Sequence, residues 1–170
     1  FCYARSGGET FVTRKDFRKQ LTVTLEELRS RTLVPVSMVD AVGLSVSGEA
    51  RLEKTVERVG DSNQWRLRKP LDALADRELM EGLLMELNAW KVSSFVKDDA
   101  RSKEDLKPYG LAEPGATLAV RHKDGSTVLV EIGAELPGKP EGKAPLVYLK
   151  HAGQPFVFTA GSEPLERLFK

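Results

Sequence analysis

The sequence holds one cysteine, Cys2, so no internal disulfide and no cysteine-rich metal site can form. Its two histidines, His122 and His151, cannot build a zinc site without help from carboxylates. An excess of either charge is missing too. The 26 basic residues nearly balance the 25 acidic ones, which leaves no electrostatic footprint for nucleic acid on the chain as a whole. No apolar run approaches the roughly 18 residues that a membrane-spanning helix needs, and no signal peptide is visible. GxSxG, HExxH and CxxC are all absent. Phe1 begins in mid-pattern rather than with Met, so the chain reads as a piece of a longer protein, and missing targeting signals carry no weight. What remains is a chain that is 41% hydrophobic and 30% charged, enough to bury a real core in one domain, or in one domain plus part of a neighbour.

One stretch dominates the periodicity. From Trp65 to Val96 the sequence reads as a short strand, a Lys69-Pro70 turn, a long amphipathic helix over 75–92 and an exit segment. Leu79, Met80, Leu83, Leu84 and Leu87 follow the i, i+3, i+4 rule and predict one broad apolar stripe. Burial of five such side chains, at about 1.5–3 kcal/mol each, would make this helix the largest contributor to the core.

Alternating segments lie on both sides of it. A Ser-Gly-Gly turn joins 1–5 and 10–13 in a hairpin, and Thr24 with Glu27 makes a capping-box pattern for a short helix. Strands around 42–46, 52–59 and 64–68 form one meander, separated by Gly- or Asn-bearing turns. After a charged loop with one helical turn at 98–107, a second meander runs through 118–120, 128–132, 146–150 and 155–159. Ser162 then caps a last helix. The predicted fold is α+β, with antiparallel meanders flanking the one long helix.

An offset of 145 residues lays FCYARSGGETFVT on LVYLKHAGQPFVF, matching Tyr3 to Tyr148, Gly8 to Gly153 and Phe11 to Phe156. LEEL at 25–28 then resembles LERL at 165–168. A hairpin and a helix in the same order predict a tandem. Residues 1–32 would be the tail of a preceding unit, and 33–170 a nearly complete unit of about 140 residues.

The order of several short motifs adds a resemblance. Trp65-x-Leu67-x-Lys69-Pro70, Leu83-Leu84-x-x-Leu87-x-x-Trp90, Phe95-Val96, Tyr109-Gly110-Leu111 with Pro114, then Gly133 and Tyr148, resemble the domain of unknown function 4340 family over about residues 28–170. The resemblance implies a tandem bacterial envelope repeat, anchored to the inner membrane and extracytoplasmic. Such proteins accompany ABC-type export components of the kind linked to gliding motility. It transfers no catalytic residues.

Candidate chemistry is thin. Gly133 to Pro140 matches GxxxxGK after a strand. Pro140 stands where a phosphate loop needs Ser or Thr, and Pro140, Gly142 and Pro145 forbid the helix that should follow. His122 and His151 fall at strand ends beside turns, and Cys2 reads as a small hairpin thiol. Asp98, Asp99, Glu104 and Asp105 lack the glycine and alternation of a calcium loop. Arg14, Lys15, Arg18 and Lys19 around Phe17 form a basic patch that could meet phosphates or anionic lipid. Trp90, Tyr109 and Tyr148 could act as platforms for a ligand such as a glycan.

The sequence therefore predicts a non-catalytic structural or interaction module with a protein partner, no cofactor and no metal. An ABC-type transporter component is the partner the resemblance implies. A ligand- or glycan-binding module is the alternative, and a hydrolase would need His122 or His151 to meet a carboxylate in a cleft.

Overall fold

The computed structural model describes residues 1–14, 23–37, 39–48, 51–60, 62–138 and 144–169. The chain forms two compact units, Phe1–Ser30 and Arg31–Lys170. In the first, β1 (Cys2–Ser6) and β2 (Glu9–Thr13) make a two-stranded antiparallel sheet. Gly7 and Gly8 form its turn at φ 57° and 90°, the left-handed conformations that a two-residue hairpin turn demands. Helix α1 (Leu25–Leu28) starts with the predicted capping box: Glu27 N donates to Thr24 Oγ1 at 3.3 Å, and Thr24 N donates to Glu27 Oε2 at 2.7 Å.

The second unit is built on one antiparallel nine-stranded sheet. Its strands are β3 (Ala41–Gly48), β4 (Arg51–Arg58), β5 (Trp65–Lys69), β6 (Ala73–Ala75), β7 (Ser94–Lys97), β8 (Ala116–His122), β9 (Thr127–Glu135), β10 (Leu146–His151) and β11 (Val157–Gly161). They lie in the order β6-β5-β4-β3-β8-β9-β10-β11-β7. Among the described residues three α-helices accompany the sheet, α2 (Arg77–Ala89), α3 (Lys103–Leu106) and α4 (Glu163–Phe169), with a 3-10 turn at Lys107–Tyr109.

This overturns the expected α+β fold. Strands hold 43% of the described residues and helices 20%, and among them no long amphipathic helix is present. The two meanders are one sheet, because β3 pairs with β8 from Ala41 opposite His122 to Gly48 opposite Ala116. The helix falls short of 75–92 at both ends. Ala75 pairs with Trp65 in β6, so Asp76 becomes the N-cap, its Oδ1 accepting from Leu79 N at 2.8 Å. After Ala89 the backbone turns extended and pairs with 31–33 instead: Leu33 N donates to Trp90 O at 3.2 Å and Val92 N to Arg31 O at 2.9 Å.

The apolar stripe is also narrower than the periodicity suggests. Met80, Leu84 and Leu87 are buried and Leu83 is partly so, while Leu79 is 59% exposed. The largest share of the core comes from inward strand residues such as Leu44, Leu118, Val120, Val130 and Leu149, not from the helix. A smaller cluster of Ala100, Leu111 and Val157, with Leu106, Tyr109 and Tyr148 against it, stands apart from that core.

Candidate functional site

The side chains singled out in the sequence do not converge. Trp90 is buried in the main core, its Nε1–H donating to Gly161 O at 2.8 Å. Tyr109 and Tyr148 meet edge-to-face with centroids 5.0 Å apart, and both pack on the smaller cluster. One ring is thus core and two are half-buried against each other, an arrangement that offers no shared flat platform. Arg14 is exposed and its main-chain oxygen lies 3.5 Å from Cys2 Sγ. Lys15, Phe17, Arg18 and Lys19, the rest of the basic patch, lie outside the described residues.

The other candidates have structural partners. His151 Nε2–H donates to Leu33 O at 2.7 Å, and its ring tilts against Phe158. His122 closes the β8–β9 turn, with its N donating to Ser126 O and its O accepting from Gly125 N. Glu104 pairs with Lys107 at 2.6 Å and Asp99 with Arg101 at 2.7 Å. Among the described residues, no three His, Cys, Asp or Glu side chains come together as a metal site would require. The GxxxxGK match begins inside β9, so Gly133, Ala134 and Glu135 are strand residues rather than a phosphate cradle; Lys139, Pro140 and Gly142 lie outside the described residues.

Asp105 carries the strongest electrostatic signature. Lys97 Nζ donates to it at 2.6 Å, and the Ser102 hydroxyl and backbone N–H add two more hydrogen bonds. Together these hold its carboxyl down at about 2. The contact ties edge strand β7 to the capping box of α3, so its role is structural. Because the folded value lies below the usual unfolded value near 3.9, the stabilisation is present above pH ~4 and is lost as pH falls toward 2. Urea midpoints of the native chain should therefore drop more steeply across pH 4 to 2 than those of Asp105→Asn. Parallel curves would remove Asp105 as the cause.

Two features of the surface remain. The first is the β1–β2 hairpin, whose two outer edges carry no further strand among the described residues. Its geometry matches β10–β11 closely. Ala4 faces Phe11 as Leu149 faces Phe158, and Tyr3 faces Val12 as Tyr148 faces Thr159. The structure moves the equivalent of Phe11 from the predicted Phe156 to Phe158, because two more residues separate Leu149 from Phe158 than separate Ala4 from Phe11. The settings differ sharply. β10 and β11 lie inside the large sheet, flanked by β9 and β7, and Leu149 and Phe158 are core. In the hairpin of the first unit Tyr3 is 81% exposed, and Phe11 and Val12 are exposed as well.

The second feature is an apolar hollow of about 330 Å³ between α2, the β3–β5 face and α4. The sequence does not reveal it because its walls come from six elements, β3 to β6 and α2 within 44–83 and α4 at 167–168, that enclose a hollow only once packed. Leu74 and Leu79, both exposed, stand at its rim and were the only local signal.

A family model, that of a domain of unknown function (DUF4340), matches residues 65–168. The match starts at Trp65, well inside the 28–170 span read from the motifs. No curated protein and no solved structure matches the chain.

Proposed function

The chain belongs to the family of the domain of unknown function (DUF4340), and on that footing we propose that it is a non-catalytic structural or interaction module. It belongs to the extracytoplasmic part of a bacterial envelope protein anchored to the inner membrane, and it serves an ABC-type export assembly through a protein partner. The family resemblance supports the envelope setting and the export association.

The hairpin β1–β2 is the observation that carries the interaction role. It shares strand pairing and aromatic placement with β10–β11, yet among the described residues no strand pairs with its outer edges, and Tyr3, Phe11 and Val12 are exposed. Open edges with apolar side chains are templates for strand addition. A tandem reading supplies the complement: residues 1–32 end one unit and the equivalents of β9 and β7 in that unit flank the hairpin, as β9 and β7 flank β10–β11 here. A unit of this kind offers strand edges and loops to its protein partner.

Protease shaving of spheroplasts tests the setting. The protein carrying this chain should be degraded from outside the inner membrane, and should remain with the membrane after salt washing. Protection in spheroplasts with full release by salt would refute it.

A further inference from the structure

The hollow between α2, the sheet and α4 has walls of Leu44, Val56, Leu67 and Leu83, with Leu74 and Leu79 at the mouth. Its volume, about 330 Å³, lies in the range of small-molecule sites and has room for about ten methylene groups at roughly 30 Å³ each. The polar side chains in the lining are few. Asp76 is engaged by the helix it caps, and Arg167 pairs with Glu86 at 2.8 Å. Lys54 differs. It is half-buried and its Nζ donates to Leu168 O at 3.2 Å, and among the described residues no carboxylate reaches it. An ammonium has three protons to donate, so two remain for a ligand. An apolar hollow beside a cation that no carboxylate among the described residues pairs with is complementary to a chain that is greasy along its length and anionic at one end.

We infer that this hollow binds a single alkyl chain bearing an anionic head, with the chain between α2 and the β3–β5 face and the head on Lys54. The exposed Leu74 and Leu79 side chains close over the chain where it leaves the protein. Nothing in this geometry concerns the strand edges proposed above for protein contacts, so either reading can fail alone.

Titration calorimetry with the 170-residue chain tests it, using dodecanoate, dodecanol and dodecyltrimethylammonium below their micelle concentrations. Dodecanoate should bind with micromolar affinity and the cationic amphiphile at least about tenfold more weakly, the factor expected from one charge-assisted hydrogen bond. Lys54→Met should bring dodecanoate down to the affinity of dodecanol, whereas Lys54→Arg should keep the preference. Leu79→Glu, at an exposed helix position and with its fold checked by circular dichroism, should weaken all three. No binding of dodecanoate to the native chain would overturn the inference. So would equal binding of the three amphiphiles with Lys54→Met unchanged, which would make the hollow a seat for a partner protein's apolar side chains.

Discussion

Gly133→Ala should cost the chain about 3 kcal/mol and lower its melting temperature by roughly 6–10 °C. Gly133 sits in β9, where the turn Tyr109-Gly110-Leu111 comes down onto the strand. A Cβ there would run into the Tyr109 carbonyl oxygen and would meet Leu111 Cγ at 2.9 Å. The turn cannot back away easily. Gly110 holds φ 67° and would place its own Cβ 2.7 Å from Ala134 N, so the two glycines let two backbones touch. Leu111 is fully buried in the smaller cluster, and shifting it would open that cluster as well. Gly82→Ala is the contrast. It lies in α2 with nothing within 4 Å of an added Cβ, so alanine there should stabilise by about 0.8 kcal/mol through helix propensity alone. Thermal melts of the two variants check both signs. A Gly133→Ala chain as stable as the native one would mean that the turn packs elsewhere.

Trp90→Ala should be costlier, at about 3–5 kcal/mol. Trp90 ends α2 and stands in the core, and its ring N–H bridges to Gly161 O, which links the helix exit to the end of β11. Truncation leaves a large cavity and an unsatisfied carbonyl together. Trp90→Phe keeps most of the ring volume but loses the hydrogen bond, so it should fall between, at about 1–2 kcal/mol. Urea unfolding followed by far-UV circular dichroism measures the series. Had Trp90 been a ligand platform, the alanine variant would keep native stability.

Local features were the legible ones. Thr24 with Glu27, the Gly7-Gly8 turn and the single helical turn near 103–106 depend on residues within a few positions of one another. Strand β6 escaped notice because Ala-Leu-Ala is too short to alternate and exists only by pairing with β5. The overlong helix had a similar cause. Trp90 and Val92 are apolar and in phase with the stripe, yet their burial comes from the backbone pairing with 31–33. The merging of two meanders into one sheet rests on β3 and β8, more than 60 residues apart, and no local pattern encodes that register. The apolar hollow was hidden for the same reason. Leu44, Val56, Leu67 and Leu83 each read as ordinary core, and only the packing of α2 on the sheet brings them around the hollow beside Lys54.

The hairpin was legible as a hairpin, but its significance came from the comparison of pairings. Phe11 and Phe158 occupy equivalent places, one exposed and one in the core, and the difference lies in their flanking strands. Hydrogen exchange measures that difference amide by amide. In the 170-residue chain, the outward-facing amides of β1 and β2 should exchange at nearly free rates while those of β10 and β11 are strongly protected. Fusing residues 31–145 of a second copy directly ahead of Phe1 supplies strands equivalent to β9 and β7. In that longer chain the β1–β2 amides should slow by about a hundredfold or more, toward the rates of β10–β11. Amides that stay fast in the fused chain, or are already slow without it, would contradict the account.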